Sequence, residues 1–397
     1  MIPKLLTATL ATIAVVSACS SSDVVDGSST SDGSNGATTT TVPAEPETVI
    51  FSGQGNDLAA YLSVPPFTKQ IVIPHFDETD SPEGLDINAQ ICFDPKDPQI
   101  FVAGEDTHQP DPLMGWGIFE LSGDHIGGLS AVQIGKLTPT YQGSSDNAEN
   151  YGCGFLSDGR IVTTDIGNQA AGPSNGQLIV WYPPFDSWDV DYCKLDIGAG
   201  TAQQILVTDD AVLIAQARGP GRDGMGPGIY SYPIAEMPAT PDECDSVDST
   251  GAPYHIVEPQ IFIKASSANH LATPNGIVQA QNGNCYVSSV INGVISEFTA
   301  VGEFVRVILQ PKPGEDLDGH SYTTGTPLGM GVAPDGSLFF ADIGIIIADG
   351  GIGPGPGTGT VRRITFNDDG SPNPPETMDE GLEFPDGIGI LDLVASN

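Results

Sequence analysis

Apolar and polar residues alternate in short runs along most of this chain. RIVTTD (160–165), QLIVWY (177–182), VLIAQA (212–217), QIFIKA (260–265), CYVSSV (285–290), VISEF (294–298), VRVIL (305–309), SLFFAD (337–342) and VRRITF (361–366) all read with a period near two, and Gly, Asp, Asn or Pro separates them. This predicts short strands joined by tight turns. No stretch keeps apolar residues at i, i+3, i+4 and i+7 for three turns before a glycine or proline interrupts it, so helices are few and the fold class is all-β.

The strands recur as a unit. NYGCGFLSDGRIVTTDIGN (150–168), TPNGIVQAQNGNCYVSSVINGVISEF (273–298) and TPLGMGVAPDGSLFFADIG (326–344) each open on a Gly-containing tripeptide, run a short apolar strand, turn at Asp-Gly or Asn-Gly and return. The turn pair supplies the positive φ values of a tight hairpin. SPEGLDINAQICFDPKDPQIFVAGED from Ser81 and AQQILVTDDAVLIAQA from Ala202 fit more loosely. Two further strands follow, as in GQLIVWYPP and DYCKLDIG, and four antiparallel strands repeated are the blades of a propeller. Openers at Glu83, Asn150, Gln203, Asn275, Leu328 and Asp386 make six blades, at about 61 residues each. Compact blades take roughly 40–50, so some loops are extended.

The last opener, in EFPDGIGIL (383–391), has only six residues after it. It is expected to be the first strand of a sixth blade whose other three strands are the N-terminal runs TVIFSG, LAAYLSV and KQIVIP. Closure of this kind removes the free strand edges of an open ring.

Before those runs the pattern changes. Residues 1–18 carry one Lys, an apolar run and small residues, the layout of a secretory signal too short for a stable span. VSAC (16–19) resembles a bacterial lipobox, which implies acylation of Cys19 and a protein held at a bacterial cell surface or in the periplasm by its lipid alone. Residues 19–47 are rich in Ser, Thr, Gly and Asp with no apolar period, and read as a disordered tether. Residues 48–397 are the propeller, expected to be a monomer.

Charge removes one class of function. Against 51 acidic residues stand 13 Lys and Arg, a formal net charge of −38, which excludes nucleic acid as a partner and leaves the domain no basic face for anionic membranes. Of the six cysteines, five follow Cys19, so at least one is unpaired; spacing does not decide the pairing, although the polar settings of Cys193 and Cys244 favour that pair. No G-x-S-x-G elbow, no H-E-x-x-H and no zinc-like Cys/His spacing occurs. The run GGIGPGPGTGT (350–360) opens no helix and reads as a flexible blade loop. GEDTHQPD (104–111) follows a second strand and reads as a solvated loop away from the channel mouth.

The openers PEG, NYG…DGR, PNG and PDG resemble those of the gluconolactonase and regucalcin-like family of six-bladed propellers, which includes paraoxonase-type lactonases. The resemblance implies one divalent cation, calcium above all, held at the channel mouth by opener side chains, where it polarises a lactone or ester carbonyl. Carried over, the metal set is Glu83, Asn150 and Asn275, with Leu328 standing where the family has an Asp that binds metal and acts as base. Asp386, one blade along, could supply that carboxylate as ligand and base, and His320 or His270 could act as general base. The functional expectation is a surface-anchored lactone or ester hydrolase; the alternative is a non-catalytic propeller binding a carbohydrate, peptide or partner protein. A quinone-dependent sugar dehydrogenase has no supporting motif.

Overall fold

The computed structural model describes residues 47–53, 57–75, 85–106, 114–137, 150–165, 176–185, 190–217, 221–248, 251–310, 312–317, 320–324, 326–348 and 351–393. Residues 1–46, which hold the expected signal, Cys19 and all of the expected tether except Glu47, lie outside them, as does Glu83. Among the described residues no helix is long and apolar enough to cross a membrane.

Strands are numbered β1 to β30 along the chain. β1 (Glu47–Gly53), β2 (Leu58–Leu62) and β3 (Lys69–Ile73) begin the ring. Blade 1 is β4 (Asp86–Phe93), β5 (Ile100–Asp106), β6 (Met114–Ser122) and β7 (Ser130–Leu137), and blade 2 is β8 (Asn150–Phe155), β9 (Ile161–Asp165), β10 (Gln177–Trp181) and β11 (Tyr192–Asp196). Blade 3 uses β12 (Ala202–Val207), β13 (Ala211–Gln216) and β14 (Gly228–Pro233). Its chain then leaves to add β15 (Ser246–Val247) and β16 (Pro253–Ile256) to the edge of blade 2, β16 running parallel to β11, before returning as β17 (Gln260–Lys264). Blade 4 is β18 (Pro274–Gln279), β19 (Cys285–Ser289), β20 (Val294–Phe298) and β21 (Phe304–Leu309).

Two hairpins then interrupt the repeat. β22 (Lys312–Leu317) and β23 (His320–Thr324) come between blades 4 and 5; blade 5 starts with β24 (Pro327–Val332) and β25 (Leu338–Asp342), is interrupted by β26 (Ile345–Ala348) and β27 (Gly351–Pro354), and ends with β28 (Gly359–Ile364) and β29 (Glu376–Leu382). The hairpins join through Tyr322 and Ile346 into a small sheet of their own. Part of the glycine-rich run, read from sequence as loop, is therefore strand β27, because the Ile-rich β26 offers it a ladder.

The C-terminal strand β30 (Gly389–Leu393) pairs with β1 from Glu47↔Leu393 to Phe51↔Gly389, and the sheet order β3-β2-β1-β30 closes a six-bladed β-propeller. The expected division of this blade, one strand from the C-terminus and three from the N-terminus, is what the pairing shows. Apolar clusters fill the wedges between blades; Phe51, Phe101 and Phe119 pack in one, Trp116 and Trp181 in the next.

Cys92 of β4 is bonded to Cys153 of β8, which staples the inner strands of blades 1 and 2 across a sequence separation of 61. Cys193 pairs with Cys244, and Cys285 is a buried free thiol that burial pushes up to about 11. Replacing Cys92 and Cys153 together by Ser is expected to lower unfolding stability by about 4 kcal/mol, the loop-closure value for that separation. A denaturant midpoint equal to wild type would show that the staple adds nothing.

Candidate functional site at the channel mouth

Each inner strand of blades 1 to 5 is bulged near its start. In blade 4, Pro274 pairs with Ser289 and Ile277 with Val287, so Asn275 and Gly276 together face Ser288 alone. The same irregularity sets off Tyr151-Gly152, Gln203-Gln204 and Leu328-Gly329, while blade 1 sets off three residues from Ala89 to Ile91. A bulge re-aims side chains and frees backbone groups, and here it falls near the mouth end of each of these five inner strands.

The glycines show which residues form the ring. A Cβ added at Gly152 would lie 2.7 Å from the Gln203 carbonyl oxygen, at Gly276 2.8 Å from that of Leu328, at Gly329 2.1 Å from that of Asp386, and at Gly387 1.8 Å from that of Ala89. Each glycine is thus pressed on the backbone of the next blade, which no larger residue permits. The ring reads Ala89, Tyr151, Gln203, Asn275, Leu328, Asp386. In blade 3 Gln204 takes the glycine's place, and its Oε1 fits because Gly276 opposite has no side chain.

Four expected openers, Gln203, Asn275, Leu328 and Asp386, fall on this ring. Asn150 stands one residue ahead of it, in register with Pro274 and Pro327, and Tyr151 holds the ring position of blade 2. In blade 1 the ring residue is Ala89, at φ +61°, six positions past Glu83. Leu328 points into an apolar cluster with Val290, Ile343 and Ile345.

Asp386 is 5 % exposed, and its Oδ2 accepts the Ala89 N–H at 2.8 Å, tying blade 6 to blade 1. Asn275 is 2 % exposed; its Nδ2 donates to Gln203 Oε1, and its own Oδ1 is buried with no donor among the described residues. Gln204 Oε1 is likewise buried with no donor among them. Below the ring, Gln90 crosses the channel: its Oε1 accepts the N–H groups of Cys153 at 3.2 Å and Ile205 at 3.1 Å, and its Nε2 donates to the Ile205 carbonyl at 3.1 Å. A single side chain thereby joins the inner strands of blades 1, 2 and 3 and makes a polar floor. The sequence pattern singles out Gln203 as a blade opener but gives it no chemical role and does not single out Gln90 or Gln204, because only the bulges show which glutamines face inward.

Three other expectations meet the structure here. Of the acidic stretch 104–111, only Gly104, Glu105 and Asp106 are described, and these stand at the mouth end: Glu105 and Asp106 end β5, paired with Ile87 and Asp86 at the start of β4, because an antiparallel second strand finishes where the first begins. For the same reason the strand ends flanking 107–113, 138–149 and 166–175, and both added hairpins, all emerge on the mouth face. His320 pairs with Leu317 in one of those hairpins. His270 is exposed, with its carbonyl accepting from Asn292 Nδ2 at 2.7 Å and its ring 6.0 Å from that of Phe304 on the outermost strand of blade 4, which takes it away from the channel. At the end of the second strand of blade 5, Asp342 Oδ1 accepts from Thr326 N at 2.9 Å, Thr326 Oγ1 at 2.6 Å and Gly344 N at 3.0 Å, a loop clamp for which Ser289 serves in blade 4.

A hard divalent cation asks for several oxygen ligands, carboxylates among them. Asn275 Oδ1, a buried acceptor lacking a donor among the described residues, and the Asp386 carboxylate on the same ring fit that chemistry; Leu328 does not. Among the described residues no three His, Cys, Asp or Glu side chains gather into a metal-binding group.

No protein-family model matches the chain, and no curated protein matches it. Among solved structures, it is similar to a protein of unknown function from Bacteroides caccae at 12 % identity and TM-score 0.49, covering 87 % of this chain and 99 % of that one. A luciferin-regenerating enzyme aligns at 11 % identity and TM-score 0.47 over 87 % of this chain and 94 % of its own. A candidate 6-phosphogluconolactonase from Bacteroides uniformis aligns at 10 % and 0.46 over 87 % and 100 %.

Proposed function

We propose that this protein is a hydrolase of small lactones or related esters, acting at the channel mouth and anchored to a bacterial surface through Cys19. The observation that carries the reading is the presence, on one ring of inner-strand residues, of the buried Asp386 carboxylate and of a buried Asn275 carbonyl oxygen that has no donor among the described residues. Asn275 and Asp386 would hold a divalent cation, with Glu83 and Asn150 as the remaining candidate ligands; bound there, calcium would polarise the scissile carbonyl. Asp386 is the candidate base, its Oδ2 fixed by the Ala89 N–H so that the carboxylate keeps one orientation. His320, on the hairpin sheet of the same face, is the second candidate. The polar floor made by Gln90 and the amides of Gln203 and Asn275 would orient a lactone ring by hydrogen bonds.

A second reading, a module that binds a carbohydrate, peptide or partner without chemistry, draws on Leu328, which replaces a carboxylate by an apolar side chain facing Val290, Ile343 and Ile345. Metal analysis separates the two. After dialysis against metal-free buffer, the hydrolase reading expects one equivalent of calcium in wild type, lost in Asn275→Ala and Asp386→Ala, together with turnover of at least one member of a lactone panel. Folded wild-type protein with no metal and no turnover would leave the binding module.

A further inference from the structure

A second concavity lies on the face opposite the mouth, between blades 1 and 2. It encloses about 570 Å³, and Ile118, Ile134, Phe155, Ile161 and Phe185 give it apolar walls. Two carboxylates stand at its edge, each from the tight turn after an inner strand: Asp94 after β4 and Asp158 after β8. Their electrostatic states differ. Asp158 is neutralised by Arg160, whose Nη2 lies 2.6 Å from its Oδ2. Asp94 is half-buried and accepts the Lys96 backbone N–H at 2.8 Å; among the described residues it accepts no other hydrogen bond and no basic side chain pairs with it.

The walls are held in fixed relation. Cys92 and Cys153, joined by the disulfide, sit two residues before Asp94 and Phe155, so one covalent link sets the distance between the carboxylate and the far wall. A rigid, mostly apolar cavity of several hundred cubic ångströms with a few convergent polar groups is the usual form of a small-molecule site. The uncompensated negative charge at its rim selects the ligand's head, since an opposite charge near a half-buried carboxylate is favoured over water while an anion is repelled.

We propose that this cavity binds a small amphiphilic cation, an ammonium group at Asp94 with an aliphatic or aromatic body between the blades. The site is on the opposite end of the inner strands from Asp386 and Asn275 and is independent of any chemistry there.

The test is calorimetric titration of the full chain with decylammonium below its micelle threshold, beside decanoate at the same pH. Saturation at one equivalent is expected, with decanoate at least tenfold weaker. Asp94→Asn, which retains the acceptor for Lys96, should weaken decylammonium about fivefold. Ile134→Arg, at a wall residue already 40 % exposed, should abolish binding without altering the melt. Equal affinity for the two amphiphiles, many weak equivalents unaffected by either substitution, or no heat of binding would each overturn the proposal; the second would mean that the acidic surface attracts cations everywhere.

Discussion

Deleting residues 383–397 is expected to leave a chain without a cooperative thermal transition. The deletion removes β30, with its five register pairs to β1, and with it the buried side chains of Ile388, Leu391 and Leu393. At about 1.5–3 kcal/mol for each large aliphatic group returned to water, those three alone approach the whole 5–15 kcal/mol that stabilises a typical protein. The inner edge of β1 would lose its partner, exposing a ladder that carries Val49, Ile50 and Phe51. Gly329 would lose the Asp386 backbone on which it packs, and blades 5 and 1 would no longer be joined. Calorimetry on the truncated chain decides this; a sharp transition near the wild-type temperature would mean that ring closure is not what holds the fold.

Asp386→Asn is expected to reduce kcat/KM for any lactone the protein hydrolyses by at least a hundredfold, the usual loss on removing a general base, while the melting temperature stays near wild type. The asparagine can still accept the Ala89 N–H, so the blade 6 to blade 1 link survives. Asp386→Ala removes the acceptor as well and is expected to cost a further ~1–3 kcal/mol in stability, because the buried N–H loses its partner. The pair of variants separates chemistry from structure. Full activity in the Asn variant would exclude Asp386 as base and direct the next substitution to His320.

Much of the architecture follows from features that are local in the chain. Period-two runs such as SLFFAD, Asp-Gly turns and the recurrence of an X-Gly opener require no tertiary information, and they lead to six antiparallel blades and to a C-terminal strand in need of N-terminal partners. The openers were harder to align than to detect. Asn150 and Tyr151 both precede Gly152 by a short step, and the ladder alone, through the Asn150↔Asp165 and Cys153↔Thr163 pairs, puts Tyr151 on the ring. In blade 1 a three-residue bulge moves the ring position to Ala89, a shift that no side-chain pattern announces. The Cys92–Cys153 staple was equally illegible, since it depends on two inner strands standing side by side with their bulges in step.

The amino-acid sequence by itself determined that the chain is all-β, built of six repeated blades, closed by its two ends and strongly acidic, with a formal net charge of −38. These are consequences of short-range alternation, turn chemistry and summed charge. Only the tertiary structure decided which side chains converge: Gln90 reaching Ile205 across the channel, Asn275 bonded to Gln203, Asp386 held by Ala89, and a cavity walled jointly by blades 1 and 2. Each of those contacts joins residues from different blades, dozens to hundreds of positions apart, and their geometry is set by where the ladders bulge and how closely neighbouring inner strands approach.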